Sequence, residues 1–156
     1  LSIMIMEKWG GDLYHISVVY VANTLTAFIL MNVMASKIHL SNITKFKIGI
    51  GATTFVFVGL AFVTDWWMAM PFMSLVGATW AFLFIGGNFH LMENNPRSTS
   101  TGIFSSTLSI ATVIGPIVGG TIAFLFDYVA VLYFAVAIIV CAFVVSLKIE
   151  NKKILS

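Results

Sequence analysis

The sequence predicts an all-α polytopic membrane protein with five transmembrane helices. Three observations carry this. The hydrophobic class takes 60% of the chain, and the mean hydropathy is +1.03. Only 9% of the 156 residues are charged, against about 25% in an ordinary soluble domain. Those charges are also sorted: five long apolar runs contain none of them. A soluble globule of this length has too much surface to cover with so few ionised groups. Disordered chains are polar, so the same numbers exclude disorder. The apolar runs do not alternate, which excludes an outer-membrane barrel.

An apolar helix of about 20 residues crosses the hydrocarbon core, and the windows follow in order. Residues 1–13 read as the end of a preceding helix and an extracellular loop, so the chain is expected to be a fragment. The five-helix region occupies 14–147. The first span covers 14–35, the second 48–64, and the third 69–92, with Pro71 in its first turn, where proline is tolerated. The fourth covers 101–126 and the fifth 129–147. Residues 148–156 form a C-terminal tail.

Charge sets the orientation. The link between the first two spans holds Lys37, Lys45 and Lys47, the third link holds Arg97, and the tail holds Lys148, Lys152 and Lys153. These segments share one side if all five helices span, and they hold seven of the eight Lys and Arg. The opposite segments hold Lys8 with Glu7, Asp12, Asp65 and Asp127. The positive-inside rule makes the lysine-rich side and the C-terminus cytoplasmic, in a multi-pass protein of the cell membrane. Trp66 and Trp67 fall at the outer boundary, where amphipathic rings favour the headgroup level. The lipid bilayer is thus an expected partner. A net charge of +2 gives no reason to expect nucleic acid. Cys141 is the single cysteine, so no internal disulfide and no cysteine-based metal site can form.

The fourth span carries the most specific pattern, Gly115-Pro116-Ile-Val-Gly119-Gly120. Gly115 and Gly119 share a helix face where a second backbone can approach. Pro116 removes a donor and favours a bend. The same span places Ser105, Ser109 and Thr112 in a stripe of small hydroxyls suited to close helix contact. The expectation is a tightly packed helix, with gating as the functional alternative. Upstream lies Glu93-Asn-Asn-Pro96-Arg97-Ser-Thr-Ser-Thr-Gly102-Ile-Phe104.

With these two segments the chain resembles the major facilitator superfamily of secondary transporters, in the closing part of such proteins. There the loop before the eleventh helix often reads Pro-Arg, small residues, then Gly, and the eleventh helix carries a Gly-Pro-x-x-Gly-Gly-like core. The resemblance implies that the five spans are helices eight to twelve, with the N-terminal half of the same protein as partner. It also implies that the first, third and fourth spans line a cavity while the second and fifth are peripheral. The family's two halves are related, so helices two to six would give the same topology. The first link here lacks the Gly-x-x-x-Asp-Arg-x-Gly-Arg-type motif of the first half, which favours the second. The Gly-Pro pair weighs the other way, because the family's antiporters carry a sharper form of it on the fifth helix.

On that reading the function is transport of a small solute by alternating access, and the substrate-binding candidates are Asn23, Trp80, Asn88 and His90. Asn23 is central in its span, and with Tyr20 and Thr24 makes a polar patch. Its alternative is an interhelical hydrogen bond, worth about 0.6 kcal/mol. Asn32, nine positions on, faces the other way at about 100° per residue. Trp80 is near the middle of the third span and offers a stacking surface. Asn88 and His90 lie near the cytoplasmic end, where His90 can exchange a proton or simply cap the helix. His15 and His39 are expected to be solvated. The fifth span is nearly all aliphatic and aromatic, which suits a lipid-facing helix. Three scattered histidines suggest no metal, and no cofactor or catalytic residue is expected. No Asp, Glu, Lys or Arg lies within a span window, so nothing there offers a coupling charge. An intramembrane enzyme, a redox subunit or a structural membrane subunit is the alternative, but no His-Glu-x-x-His or Gly-x-Ser-x-Gly motif occurs.

Overall fold

A computed structural model describes residues 1–36, 38–93 and 95–148. The described chain is all helix and turn: α1 (Ser2–Glu7), α2 (Leu13–Ser36), α3 (Asn42–Ala61), α4 (Trp66–Met92), α5 (Arg97–Leu125) and α6 (Tyr128–Leu147). The last five are each long and apolar enough to cross a membrane. The protein is a membrane-embedded helical bundle. At about 1.5 Å per residue the 20 residues of α3 or α6 reach about 30 Å, one hydrocarbon thickness. The 29 residues of α5 reach about 44 Å, so that helix tilts or projects beyond the slab.

Local chemistry sets the ends. The Asp12 carboxylate accepts the His15 backbone N–H at 3.0 Å, while the Asp12 N–H donates to His15 Nδ1 at 3.2 Å. This reciprocal pair caps α2. His15 also meets Trp66 with ring centroids 3.9 Å apart, so it is not the solvated histidine expected. His39 is exposed, as expected. Ser41 caps α3, its hydroxyl accepting the Thr44 N–H at 3.3 Å. The Asp127 carboxylate accepts the Tyr128 N–H at 2.6 Å and opens α6.

Several boundaries differ from the sequence windows. α3 begins at Asn42 rather than 48, so Lys45 and Lys47 lie within helix. The Ser41 cap starts the helix, and Lys45 is buried in its second turn, with 6% of its surface exposed. Likewise α5 begins at Arg97 rather than 101, because Pro96 supplies the turn from which the helix starts. α4 begins at Trp66, which places Pro71 beyond the first turn, where it removes the N–H that would bond the Trp67 carbonyl. Lys37, Lys152 and Lys153 lie outside the described residues.

Short connections make α3 antiparallel to α4, and α5 antiparallel to α6. α4 is the central element and packs most extensively on α2 and α3, while α3 also packs on α6. α5 touches α4 and α6 more lightly. The α3–α4 seam is built from small residues. A Cβ added at Gly49 would press on Leu83, one at Gly86 on Phe46, and one at Gly59 on Phe72. These pairs run in opposite chain directions along the two helices, so glycine recurs along one antiparallel contact. The α2–α4 seam has its own close point, where Gly77 lies against the Asn23 backbone. Such approaches favour association in lipid through packing.

Two hydrophobic clusters fill the interior. One, at the Asp65 end, joins Ile5, Trp9, Val19, Leu60, Met73 and Leu132. The Trp66 N–H donates to the Trp9 carbonyl at 3.0 Å, tying the loop after α1 to the start of α4. The other, toward the lysine-rich end, joins Met34, Ala81 and Ile85 between α2 and α4.

Candidate functional site

Asn23 lies near the midpoint of α2 and lines two cavities. The larger, about 610 Å³, extends toward the Asp65 end between Tyr20, Met73, Tyr128, Leu132 and the α5 segment Gly115, Pro116, Gly119 and Gly120. The smaller, about 480 Å³, extends toward the lysine-rich end between Thr24, Ala27, Phe28, Met31 and Trp80. Asn23 and Val76 belong to both, so the two cavities follow one another along the helices and share a wall at mid-depth.

The wall has a specific local cause. Gly77 has no side chain, so the Asn23 carbonyl and amide oxygen settle directly over α4. Among the described residues the Asn23 amide has no hydrogen-bond partner. Thr24, its neighbour, is satisfied locally by donating to the Tyr20 carbonyl at 3.0 Å. Tyr20 accepts from the Ser2 hydroxyl at 3.4 Å, above the larger cavity.

The structure brings together Asn23, Trp80 and, across the larger cavity, Gly115, Pro116, Gly119 and Gly120. It separates Asn88 and His90 from them. His90 Nδ1 lies 2.9 Å from Glu93 Oε2, and Glu93 Oε1 accepts from Asn42 Nδ2 at 2.8 Å. That cluster bonds the end of α4 to the start of α3. The Asn88 amide oxygen is buried without a partner, as is Trp9 Nε1. Trp80 is 42% exposed and belongs to an aromatic row, 6.1 Å from Phe84, which in turn meets Phe104 edge-on at 5.3 Å. Among the described residues no group of three or more His, Cys, Asp or Glu is placed to hold a metal ion.

Among the described residues, packing differs from expectation in two places. A Cβ added at Gly115 or Gly120 meets nothing within 4 Å, and one at Gly119 meets only Val131 at 3.6 Å. The α5 glycines thus lie beside a cavity, and no backbone among the described residues approaches them. Ser105, Ser109 and Thr112 are likewise exposed, with Thr112 donating to the Leu108 carbonyl at 2.8 Å. The second correction concerns the helices expected at the periphery. α6 lines the larger cavity through Tyr128, Val131, Leu132 and Ala135, and α3 does so through Phe57 and Leu60. An aliphatic helix can face lipid on one side and an apolar cavity on the other, and composition does not separate the two.

The glycines that do form close contacts, Gly49, Gly59, Gly77 and Gly86, were not singled out from the sequence. No local pattern marks them, because only the position of the partner helix separates a close glycine from an open one. The comparisons with known proteins give no match: no family model, no curated protein and no solved structure aligns significantly with the chain.

Proposed function

We propose that the chain belongs to a secondary transporter of a small solute, of the major facilitator type, working by alternating access. The observation that supports this is the pair of cavities meeting at Asn23 in a bundle whose mid-depth carries no ionised side chain. Secondary transporters hold solute near the mid-plane and expose that site to each side in turn. Asn23 would supply the hydrogen-bonding group at that depth, and Trp80 a stacking surface on its cytoplasmic side. The Gly115–Gly120 segment would be the moving wall, because among the described residues nothing lies within 4 Å of a Cβ added at Gly115 or Gly120. On this reading the uncovered faces of α2 and α5 meet the N-terminal helical half of the same protein across the path. The protein would lie in the cell membrane with the lysine-rich ends cytoplasmic.

Site-directed thiol labelling tests the reading without knowledge of the solute. Asn23→Cys in a Cys141→Ser background is treated with a membrane-impermeant maleimide in right-side-out and then inside-out vesicles. Alternating access predicts modification from both faces. Modification from one face only, or from neither, counts against it.

A further inference from the structure

The larger cavity specifies a ligand chemistry, an inference that rests on the reading of this cavity as the solute site. Its volume of about 610 Å³ falls in the range of small-molecule sites. Its lining side chains are aliphatic, aromatic or glycine, with three polar exceptions: the amide of Asn23 and the phenols of Tyr20 and Tyr128. No side-chain carboxylate, ammonium, guanidinium or imidazole lines it. An ionised ligand would therefore leave water for a largely apolar space whose lining side chains supply no counter-charge, which is unfavourable. An apolar ligand loses nothing comparable and gains from burial.

The polar groups narrow the choice further. The Tyr20 hydroxyl accepts from Ser2 at 3.4 Å, and the Tyr128 hydroxyl interacts with the Glu7 carboxylate. The Asn23 amide has no partner among the described residues. An amide that faces an apolar cavity without a partner gains when a ligand supplies one.

We propose that this cavity takes an uncharged, mainly apolar small molecule bearing a single hydrogen-bonding group, which docks on the Asn23 amide.

Photolabelling of the full-length protein in lipid nanodiscs tests this with three probes that share one chromophore. Benzophenone is neutral and offers one carbonyl acceptor. Its 4-carboxylate is an anion, and its 4-(trimethylammonio)methyl derivative is a cation. Mass mapping is expected to find saturable benzophenone adducts on Leu60, Met73, Val76 and Leu132, and none there from either charged analogue. Asn23→Leu keeps the side-chain size and should raise the half-saturating concentration about 3- to 10-fold, the worth of one hydrogen bond. Gly120→Leu adds a side chain where open space now lies, so that variant should abolish the cavity adducts while remaining folded.

Cavity adducts from a charged analogue would overturn the proposal. So would adducts that do not saturate, that persist in Gly120→Leu, or that Asn23→Leu leaves unchanged. Saturable neutral labelling combined with one-sided access at position 23 would refute transport and support the ligand class.

Discussion

Replacing Gly77 with alanine puts a methyl group where the Asn23 backbone carbonyl now lies. A flexible side chain could turn away, but a carbonyl inside a helix is held by its own hydrogen bond. The helices must separate by roughly 1 Å to restore ordinary van der Waals distance. Separation loosens the α2–α4 seam, including the contacts of Met34 with Ala81 and Ile85 further along. Overpacking of this kind costs about 1–3 kcal/mol. For a protein of this size that corresponds to a fall in Tm of about 2–12 °C. Gly115→Ala is the matched control, since a methyl there meets nothing. It should be neutral or gain up to about 1 kcal/mol, because alanine restricts a helical backbone better than glycine does. Thermal unfolding in detergent, followed by intrinsic tryptophan fluorescence and by the monodisperse fraction after heating, reads both. Equal stability of Gly77→Ala and the parent, or a larger loss from Gly115→Ala, would refute this account of the seam.

Two further outcomes concern helix ends. Ser41→Ala removes the oxygen that accepts the Thr44 N–H and should lower stability by about 0.5–2 kcal/mol. Ser41→Asp, which keeps an acceptor, should recover most of that in the same unfolding assay. The His15 backbone N–H, bonded to the Asp12 carboxylate, holds that group below its ordinary pKa. Its folded value is thus lower than its unfolded one, so its stabilisation is present above the ordinary carboxylate range. That stabilisation fades as pH falls through the depressed value. The Tm difference between the parent and Asp12→Asn should therefore be constant from pH 7 to about 5 and shrink on further acidification. A difference that grows with acid would contradict the assignment.

The spans were legible because hydrocarbon tolerates so few alternatives. Charges leave the slab, and the runs they leave behind coincide with α2 to α6. The ends were less legible because they lie where lipid gives way to water. Lys45 and Lys47 mark that zone, but a lysine stem lets the helix continue beneath its charge, and Ser41 decides where α3 starts. Glycine in a membrane helix had two meanings that composition cannot separate. At Gly49, Gly77 and Gly86 it admits another helix, whereas at Gly115 and Gly120 it leaves space. Only the partner's position distinguishes them. Asn23 stood out as an amide at mid-depth in its span, and Trp80 as an aromatic at mid-depth. Their common cavity depends on the parallel packing of α2 and α4, which no local pattern encodes. His90 and Asn88 share their polarity, but they lie a few helical turns further along α4, where His90 joins Glu93 and Asn42 and the Asn88 amide oxygen is buried without a partner.

The central claim is that five helices cross the bilayer with successive connections on opposite faces. Single cysteines at Leu40, Asp65, Ser98 and Phe126, all exposed positions, sample four successive bundle ends, Ser98 from the first turn of α5, in a Cys141→Ser background. An impermeant maleimide applied to sealed vesicles of known orientation should modify positions 40 and 98 from the cytoplasmic face, and positions 65 and 126 from the other. Modification of positions 40 and 65 from the same face would contradict the arrangement and remove the basis for a path through the bundle.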